Sequence, residues 1–529
     1  MEKTPDLFLS VSETEKLHLF EQIRQLKVME KTNQDSLKIY QRLTPGISEI
    51  NLRQVALQMH KSYGSIYNTY DGIVQDMKAI LGKSDPTIPE IFAVSSDQYQ
   101  IYLISHTDSY NFLRQVLSSN KRSFTNFYQA MGNSKATALR HLKPMRTFLK
   151  KFDVRVAYEP MRFIGREQDV RIALTVLYWR ATQGLSWPFD SVTQKQASEL
   201  VSYGLDLFHM VEPNNVTKDF FGIFLAVSML RMANGHLVDK NPRLPYIKYP
   251  YANLYENAEL QKIIQDNAPS EFTQVVARIN EIPSSRLMAE SVNVYNAASS
   301  VLSIIPYTKN QSEESLELLQ EYDTVIYDFV AQIIQRIPFN IQKRLKMDDQ
   351  NMKTVKINLV RVIIGGLAFG NSYYQAITYY GGQAAGIRTI DMPEYRKQIR
   401  DLLLELVEED EFSDFQPHVD LMTDAVYNSS LRLMALTSSH YSVKIYPEIE
   451  DSFLAYLDLI ETIKSLPYVD LVDNFAEADL IITATEHLDI KSTTGNQFIF
   501  KWSHDFGNAQ FGQLITVIRD IWTQKKISG

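Results

Sequence analysis

Residues 123–152 read SFTNFYQAMGNSKATALRHLKPMRTFLKKF, and the fold is decided there. Phe124, Phe127 and Met131 fall on one side of a short helix. Gly132 and Asn133 follow as a tight turn, where glycine suits left-handed backbone. Ser134 then caps a second helix whose buried side is Ala138, Leu142, Met145 and Leu149. Its other side carries Lys135, Thr137, Arg140, His141 and Arg146. Helix, glycine turn and basic second helix make the helix-turn-helix pattern, in which the start of the second helix meets base edges in the major groove. An arginine there can pair its fork with guanine O6 and N7. Ser134, Lys135, Thr137, Arg140 and His141 are therefore the expected base-reading set. Pro144 lacks an N–H and should end or bend this helix. Residues 153–165 are expected to form a hairpin wing that sets Arg155 and Arg162 on phosphates.

The charge distribution favours an anionic partner for this stretch. Between residues 121 and 155 there are nine basic side chains and one acid, Asp153; nine less one gives +8 in a chain whose total is −8, which leaves −16 elsewhere. Lys121 and Arg122 open that basic run and join the expected DNA contacts. The competing reading is an amphipathic hairpin with a merely solvated basic face. A second helix-turn-helix is read at residues 51–80. Leu52, Val55, Ala56 and Met59 make its first helix, residues 60–64 its turn, and Ser65 caps a helix with Ile66, Tyr70, Ile73, Val74 and Met77 inside. Lys61, Ser62, Tyr63, Ser65, Tyr67 and Asn68 could face DNA, and Lys61, Ser65, Tyr67 and Asn68 are its candidate DNA contacts. Asp71 and Asp76 weaken the charge argument here.

Around these units the sequence is mostly helical. The 529 residues suggest three to five domains, and 45% hydrophobic with 22% charged residues excludes collagen-like and wholly disordered chains. There is no cysteine, so disulfides, thiolate metal sites and cysteine nucleophiles are excluded. Apolar runs such as 362–370 are too short for a membrane span, and residues 1–10 do not read as a signal peptide. A cytoplasmic protein without membrane contact is expected. Leu17, Phe20, Ile23, Leu26 and Met29 form a helical stripe in residues 13–31, capped by Ser12 or Thr14. Strand-like sequence is limited to 92–94, 100–104 and 154–157 until a change of texture near Asn428. Beyond it, strands at 431–438, 468–472, 479–485 and 497–502 alternate with helices at 452–465 and 508–525. That pattern predicts a small α/β unit with a mainly parallel sheet, beginning within residues 410–429. Residues 83–89, with two prolines, read as a linker or wing turn. No Walker A loop, G-x-G-x-x-G or H-E-x-x-H is present. The acids Glu408, Glu409, Asp410, Glu411 and Asp414 read as a solvated linker, so no metal, cofactor or catalytic residue is expected and the chain is not read as an enzyme.

The order of these parts resembles the Mga/AtxA family of virulence regulators of Gram-positive bacteria. The residues that carry the likeness are "LFLSVSETEKLHLFEQI" at 7–23, "RFIGREQDVRIAL" at 162–174, "LYWRATQGLSWPF" at 177–189 and "EADLIITAT" at 477–485. The resemblance implies a mainly α, multidomain chain. It would hold two winged helix-turn-helix units, two helical bundles like phosphotransferase-system regulation domains (PRDs), and a C-terminal α/β domain like the EIIB component. The implied boundaries are an N-terminal segment 1–34, helix-turn-helix units at 35–92 and 93–168, PRD-like domains at 169–282 and 283–412, and an EIIB-like domain at 425–529. The implied function is transcription regulation, as an activator of virulence or sugar-linked genes. Its implied partners are double-stranded DNA, a second copy of the chain and phosphotransferase-system phosphocarrier proteins.

Phosphorylation on histidine follows from the same resemblance. "FLAVSMLRMANGHLVDKNP", 224–242, is similar to the PRD helix whose acceptor lies about seven residues before its arginine. Counting back from Arg231 reaches Phe224, which accepts no phosphate. His209 and His236 are the remaining candidates in the first bundle, and the second bundle contains no histidine. In the tail, His440 falls near the EIIB acceptor position without a glycine-rich cradle. A scaffold or dimerisation role is read for the tail instead, with Phe506, Phe511 and Trp522 as apolar contacts or, equally, as core. The rival reading is a phosphotransfer-linked sensor that does not bind DNA. An RNA-binding antiterminator would need a β-rich amino end, where this chain is helical.

Overall fold

The computed structural model describes residues 6–29, 47–118, 123–208, 210, 212–239, 253–255, 270–301, 317, 320, 324–336, 349–380, 393–420, 422–424, 426–427, 442–448, 457–466, 468–483, 497–502 and 507–528. The chain divides into two compact units. The first comprises Met1–Arg336, Asp349–Ile387 and Glu394–Ser429; the second comprises Ile337–Asp348, Arg388–Pro393 and Ser430–Gly529.

The first unit begins with α1 (Val11–Met29), α2 (Leu52–Gln58), α3 (Tyr63–Leu81), α4 (Ile88–Ala93) and α5 (Ser96–Ser105). Leu19, Phe20 and Ile23 of α1 are buried, and α1 packs on α3 and α5. Its start is held by Ser10, whose N–H donates to Glu13 at 2.6 Å while its Oγ accepts from Glu13 N at 3.3 Å. The cap is thus Ser10, not Ser12 or Thr14. Residues 92–94 and 100–104 are not strands. Capping boxes at Thr87 with Glu90 and at Ser95 with Gln98 commit both stretches to helix. After α3, Gly82 takes φ 63° and the chain turns into α4. The first helix-turn-helix therefore carries no hairpin among the described residues, and the expectation of two winged units is corrected to one.

Next come α6 (Asp108–Ser118), α7 (Phe124–Ala130), α8 (Lys135–His141), α9 (Lys143–Lys150) and the antiparallel hairpin β1 (Arg155–Tyr158) and β2 (Met161–Ile164). Among the described residues there follow α10 (Glu167–Thr182), α11 (Gln194–Leu207), α12 (Asn215–Ala233), α13 (Ser270–Asn280), α14 (Ser284–Val301), α15 (Thr324–Arg336), α16 (Asp349–Phe369) and α17 (Asn371–Tyr380). Helix α18 (Pro393–Leu406) and a 3-10 segment, Asp410–His418, come next, and the described residues between 419 and 427 are again helical. Helix α10 is buried on almost every side, packing on α12 and α17. Its Trp179 meets Phe220 edge-on at 5.6 Å and its Tyr178 meets Phe189 at 4.9 Å. Tyr178, Trp179 and Phe189, within the stretch 177–189 quoted above, thus pack among the helices.

A buried ionic chain crosses these helices. Arg171, wholly buried, donates from Nε to Glu167 at 3.0 Å and through both terminal nitrogens to Glu290. Glu167 also accepts from Arg231 at 2.6 and 3.0 Å, and Glu290 accepts from the Val238 N–H at 2.9 Å. Burial penalises each charge, but this set is paired throughout, which makes removal of one member costly.

The second unit contains β3 (Val443–Glu448), α19 (Leu457–Lys464), β4 (Val469–Leu471), β5 (Leu480–Thr483), β6 (Phe498–Lys501) and α20 (Gly507–Ser528). The four strands form a parallel sheet in the order β4-β3-β5-β6. Its core is Val443, Ile445, Leu480, Ile482, Leu459, Ile463, Leu514, Ile518 and Ile521. Strand β3 holds the middle of the sheet, and sequence reading missed it. The expected strand at 431–438 and His440 lie outside the described residues, as does Phe506. Phe511 packs edge-on to Trp502 at 4.9 Å and Trp522 stacks on Tyr468 at 4.6 Å, so both serve this core.

Candidate nucleic-acid interface

Residues 123–164 fold as a winged helix-turn-helix. Ser123 caps α7 through a hydrogen bond from Thr125 N at 3.1 Å. Phe124 and Phe127 are buried and pack against Phe112 of α6. Gly132 takes φ 68°, the left-handed geometry the turn needs. Ser134 Oγ accepts from Thr137 N at 3.1 Å, capping α8. Ala138, Leu142, Met145 and Leu149 are fully buried, as their spacing required. Helix α8 stops at Leu142 because Pro144 has no N–H and its ring would clash with the carbonyl four residues back. The chain resumes as α9 with Pro144 in its first turn. The reading helix is therefore seven residues long and does not run on to Phe152.

Lys135 and Arg140 are exposed. Neither has a hydrogen-bond or ion-pair partner among the described residues. Ser134 and Thr137 share a hydrogen bond between their hydroxyls at 2.9 Å. His141 is tied down: its Nδ1 lies 2.8 Å from Oδ2 of Asp108, a buried carboxylate at the start of α6. Asp108 also accepts from Asn133 Nδ2 at 2.9 and 2.8 Å. One carboxylate thus clamps the turn and the far end of α8. Sequence reading missed Asp108, since nothing local links it to residues 133 and 141.

In the wing, Arg155 pairs with Ile164 and Ala157 with Arg162 across the hairpin. Cross-strand partners share a face, so both arginines stand on one face, and both are exposed. The opposite face carries Met161 and Phe163, which are buried. Lys121 and Arg122 lie outside the described residues.

The earlier unit, α2–turn–α3, has different surface chemistry. Ser62, not Ser65, caps α3, accepting from Ser65 N at 3.3 Å. Ser65, Tyr67 and Asn68 are exposed, but Lys61 is held by Glu15 at 2.8 Å. Exposed Leu57, Tyr63 and Tyr67 give this unit an aromatic rather than basic surface.

Of the histidine candidates, His209 lies outside the described residues. His236 follows the α12 C-terminus, where Gly235 takes φ 80°. It is half-buried; burial first, and then the charge of Arg231, lower its pKa below the ordinary histidine value. Its imidazole is thus held neutral near pH 7, the form that acts as a nucleophile. Its backbone carbonyl accepts from Arg171 at 3.1 Å, which joins it to the ionic chain. The described residues contain no His, Cys, Asp and Glu cluster suited to a metal ion, and no helix long and apolar enough to cross a membrane.

A capped basic helix after a glycine turn, clamped from beneath and followed by a two-stranded wing, defines a winged helix-turn-helix protein. Residues 93–178 match the Mga helix-turn-helix domain. The chain is also similar to the capsule synthesis positive regulator AcpB of Bacillus anthracis, with 21% identity over 379 residues, covering 66% of this chain and 70% of that protein. These likenesses rest on the helix-turn-helix region and on a distant relative, and they support a Mga-like regulator.

Proposed function

We propose that this chain is a DNA-binding transcription regulator, and specifically an activator, with residues 123–164 as its main reader. The observation that carries the reading is the unengaged pair Lys135 and Arg140 on a capped, clamped helix beside a wing that exposes Arg155 and Arg162. Ser134 and Thr137 complete the reading set, and Lys121 and Arg122 lead into it. The aromatic first unit is auxiliary, through Lys61, Ser65, Tyr67 and Asn68. Activation is the role printed in the name of the similar Bacillus anthracis protein, and virulence or sugar-linked genes are the targets in this reading.

In the same proposal the helices at 169–282 and 283–412 are two PRD-like domains and residues 425–529 an EIIB-like domain. Helical bundles in the first two ranges and a parallel sheet in the last support this. Phosphocarrier proteins are the proposed phosphate source and a homodimer the working form, since pairing two readers raises affinity through effective concentration. His236 is the favoured acceptor, because its neutral imidazole sits among Arg231 and Arg171. His209 stands as the second acceptor on its place in the sequence. Replacing His236 with glutamine should remove phosphate incorporation from a phosphocarrier; full incorporation would reassign the acceptor.

The test of DNA binding is a titration with genomic fragments at two salt concentrations and an RNA competitor. Binding that falls steeply with salt yet leaves a competitor-resistant footprint supports the reading. No binding at low salt would contradict it and favour a sensor that acts through protein partners.

A further inference from the structure

A cleft of about 190 Å³ opens where α6, α10, α12 and α13 meet the loop at 188–191. Nothing derived above uses it. Its walls include the buried side chains of Leu117, Leu230 and Val275. Among its lining residues is Tyr178, which is fully buried and whose hydroxyl has no hydrogen-bond partner. A buried phenol without a partner is rare in folded proteins and calls for an explanation. The rim is charged. Arg114 of α6 is neutralised by Asp190 at 2.6 Å. Arg278, near the end of α13, is exposed and has no ion pair with a described residue. Glu271, the remaining acid, lies two turns earlier on α13, about 10 Å along the axis at 1.5 Å per residue. A carboxylate placed on Arg278 stands clear of it.

We propose that this cleft binds a small organic carboxylate with a compact apolar body and an oxygen that accepts from Tyr178. Arg278 takes the carboxylate, and the aliphatic walls take the body. The size fits, since an apolar cavity of roughly 150 Å³ admits benzene. The position gives the ligand a route to the reader. Helix α6 carries Arg114 at the cleft and, six residues earlier, Asp108, which clamps Asn133 and His141. An occupant that shifts α6 shifts the support of the reading helix. Only this coupling rests on the DNA-binding reading.

The chain has no cysteine, so Ala233→Cys places a unique thiol on the cleft wall. This variant is offered disulfides of equal size that carry a phenylcarboxylate, a phenyl or a phenylammonium group, without DNA present. The expected result is a preference of about ten-fold or more for the carboxylate, the size of one charge-assisted hydrogen bond. Adding Arg278→Ala should abolish that preference. Equal capture of all three disulfides would overturn the site. So would the same preference at an exposed control thiol, Ser198→Cys, or its survival in the Arg278→Ala background. In a second arm the carboxylate adduct is titrated with a DNA fragment bound by the unmodified variant. A several-fold change in affinity is expected, and an unchanged affinity would overturn the coupling through α6.

Discussion

The two helix-turn-helix units share a backbone plan and differ in what they offer a partner. In both, a serine caps the second helix and that helix buries one apolar stripe. The later unit turns through a glycine, has a second helix cut short by Pro144, and adds a hairpin. Its exposed side is basic and unengaged at Lys135 and Arg140. The earlier unit has a second helix of 19 residues, and its carboxylate Asp76 anchors that helix to the body through Lys16 at 2.9 Å and Tyr99 at 2.7 Å. Its only turn lysine, Lys61, is neutralised by Glu15. The two units therefore share a shape and differ in the unengaged cations, Lys135 and Arg140, that the second helix of the later unit carries.

Among single substitutions the largest effect should come from the clamp. Asp108→Ala removes the acceptor for Asn133 and His141 and should cost the later unit about 2–3 kcal/mol, the range for hydrogen bonds to a charged group. Thermal unfolding together with a DNA titration would show it. A variant as stable as the parent, with undiminished binding, would mean that the turn needs no support from α6. The wing comes next. Arg155→Ala and Arg162→Ala should each weaken binding about equally on all sequences and lower the salt slope by about 1. A change in sequence preference without a change in slope would make the wing a base reader. The smallest effect is expected in the earlier unit. Lys61→Ala should cost under about 1 kcal/mol of DNA affinity, because an exposed ion pair is worth little and the charge is already spent on Glu15. Glu15→Ala frees that lysine and should strengthen binding slightly in the same titration. A large loss with Lys61→Ala would erase the distinction between the units.

How much of this was legible in the sequence follows from how local each signal is. The glycine turn, the Ser134 cap, the stripe Ala138, Leu142, Met145 and Leu149, and the hairpin at 155–164 are all written within a few residues. Residues 92–94 and 100–104 read as strands because they are rich in aromatic and branched side chains. The capping boxes a few residues upstream, Thr87 with Glu90 and Ser95 with Gln98, outweighed that bias. Strand β3 was missed because it ends in Pro447 and Glu448, residues that seldom sit in the middle of a sheet. Its neighbours β4 and β5 identify it only in three dimensions. The Asp108 clamp spans 25 and 33 residues, and the Arg171–Glu290 pair spans 119. No spacing rule reaches such pairs.

One head-to-head titration decides which unit reads DNA. A single footprinted fragment is titrated with the parent chain, with Lys135→Ala/Arg140→Ala, and with Ser65→Ala/Asn68→Ala. Lost base contacts cost about 1–3 kcal/mol each. The first pair should therefore abolish the specific footprint, and the second should leave it in place with a modest loss. Parent-like affinity in Lys135→Ala/Arg140→Ala, with the footprint lost instead in Ser65→Ala/Asn68→Ala, would contradict the assignment and move the reader to the aromatic unit.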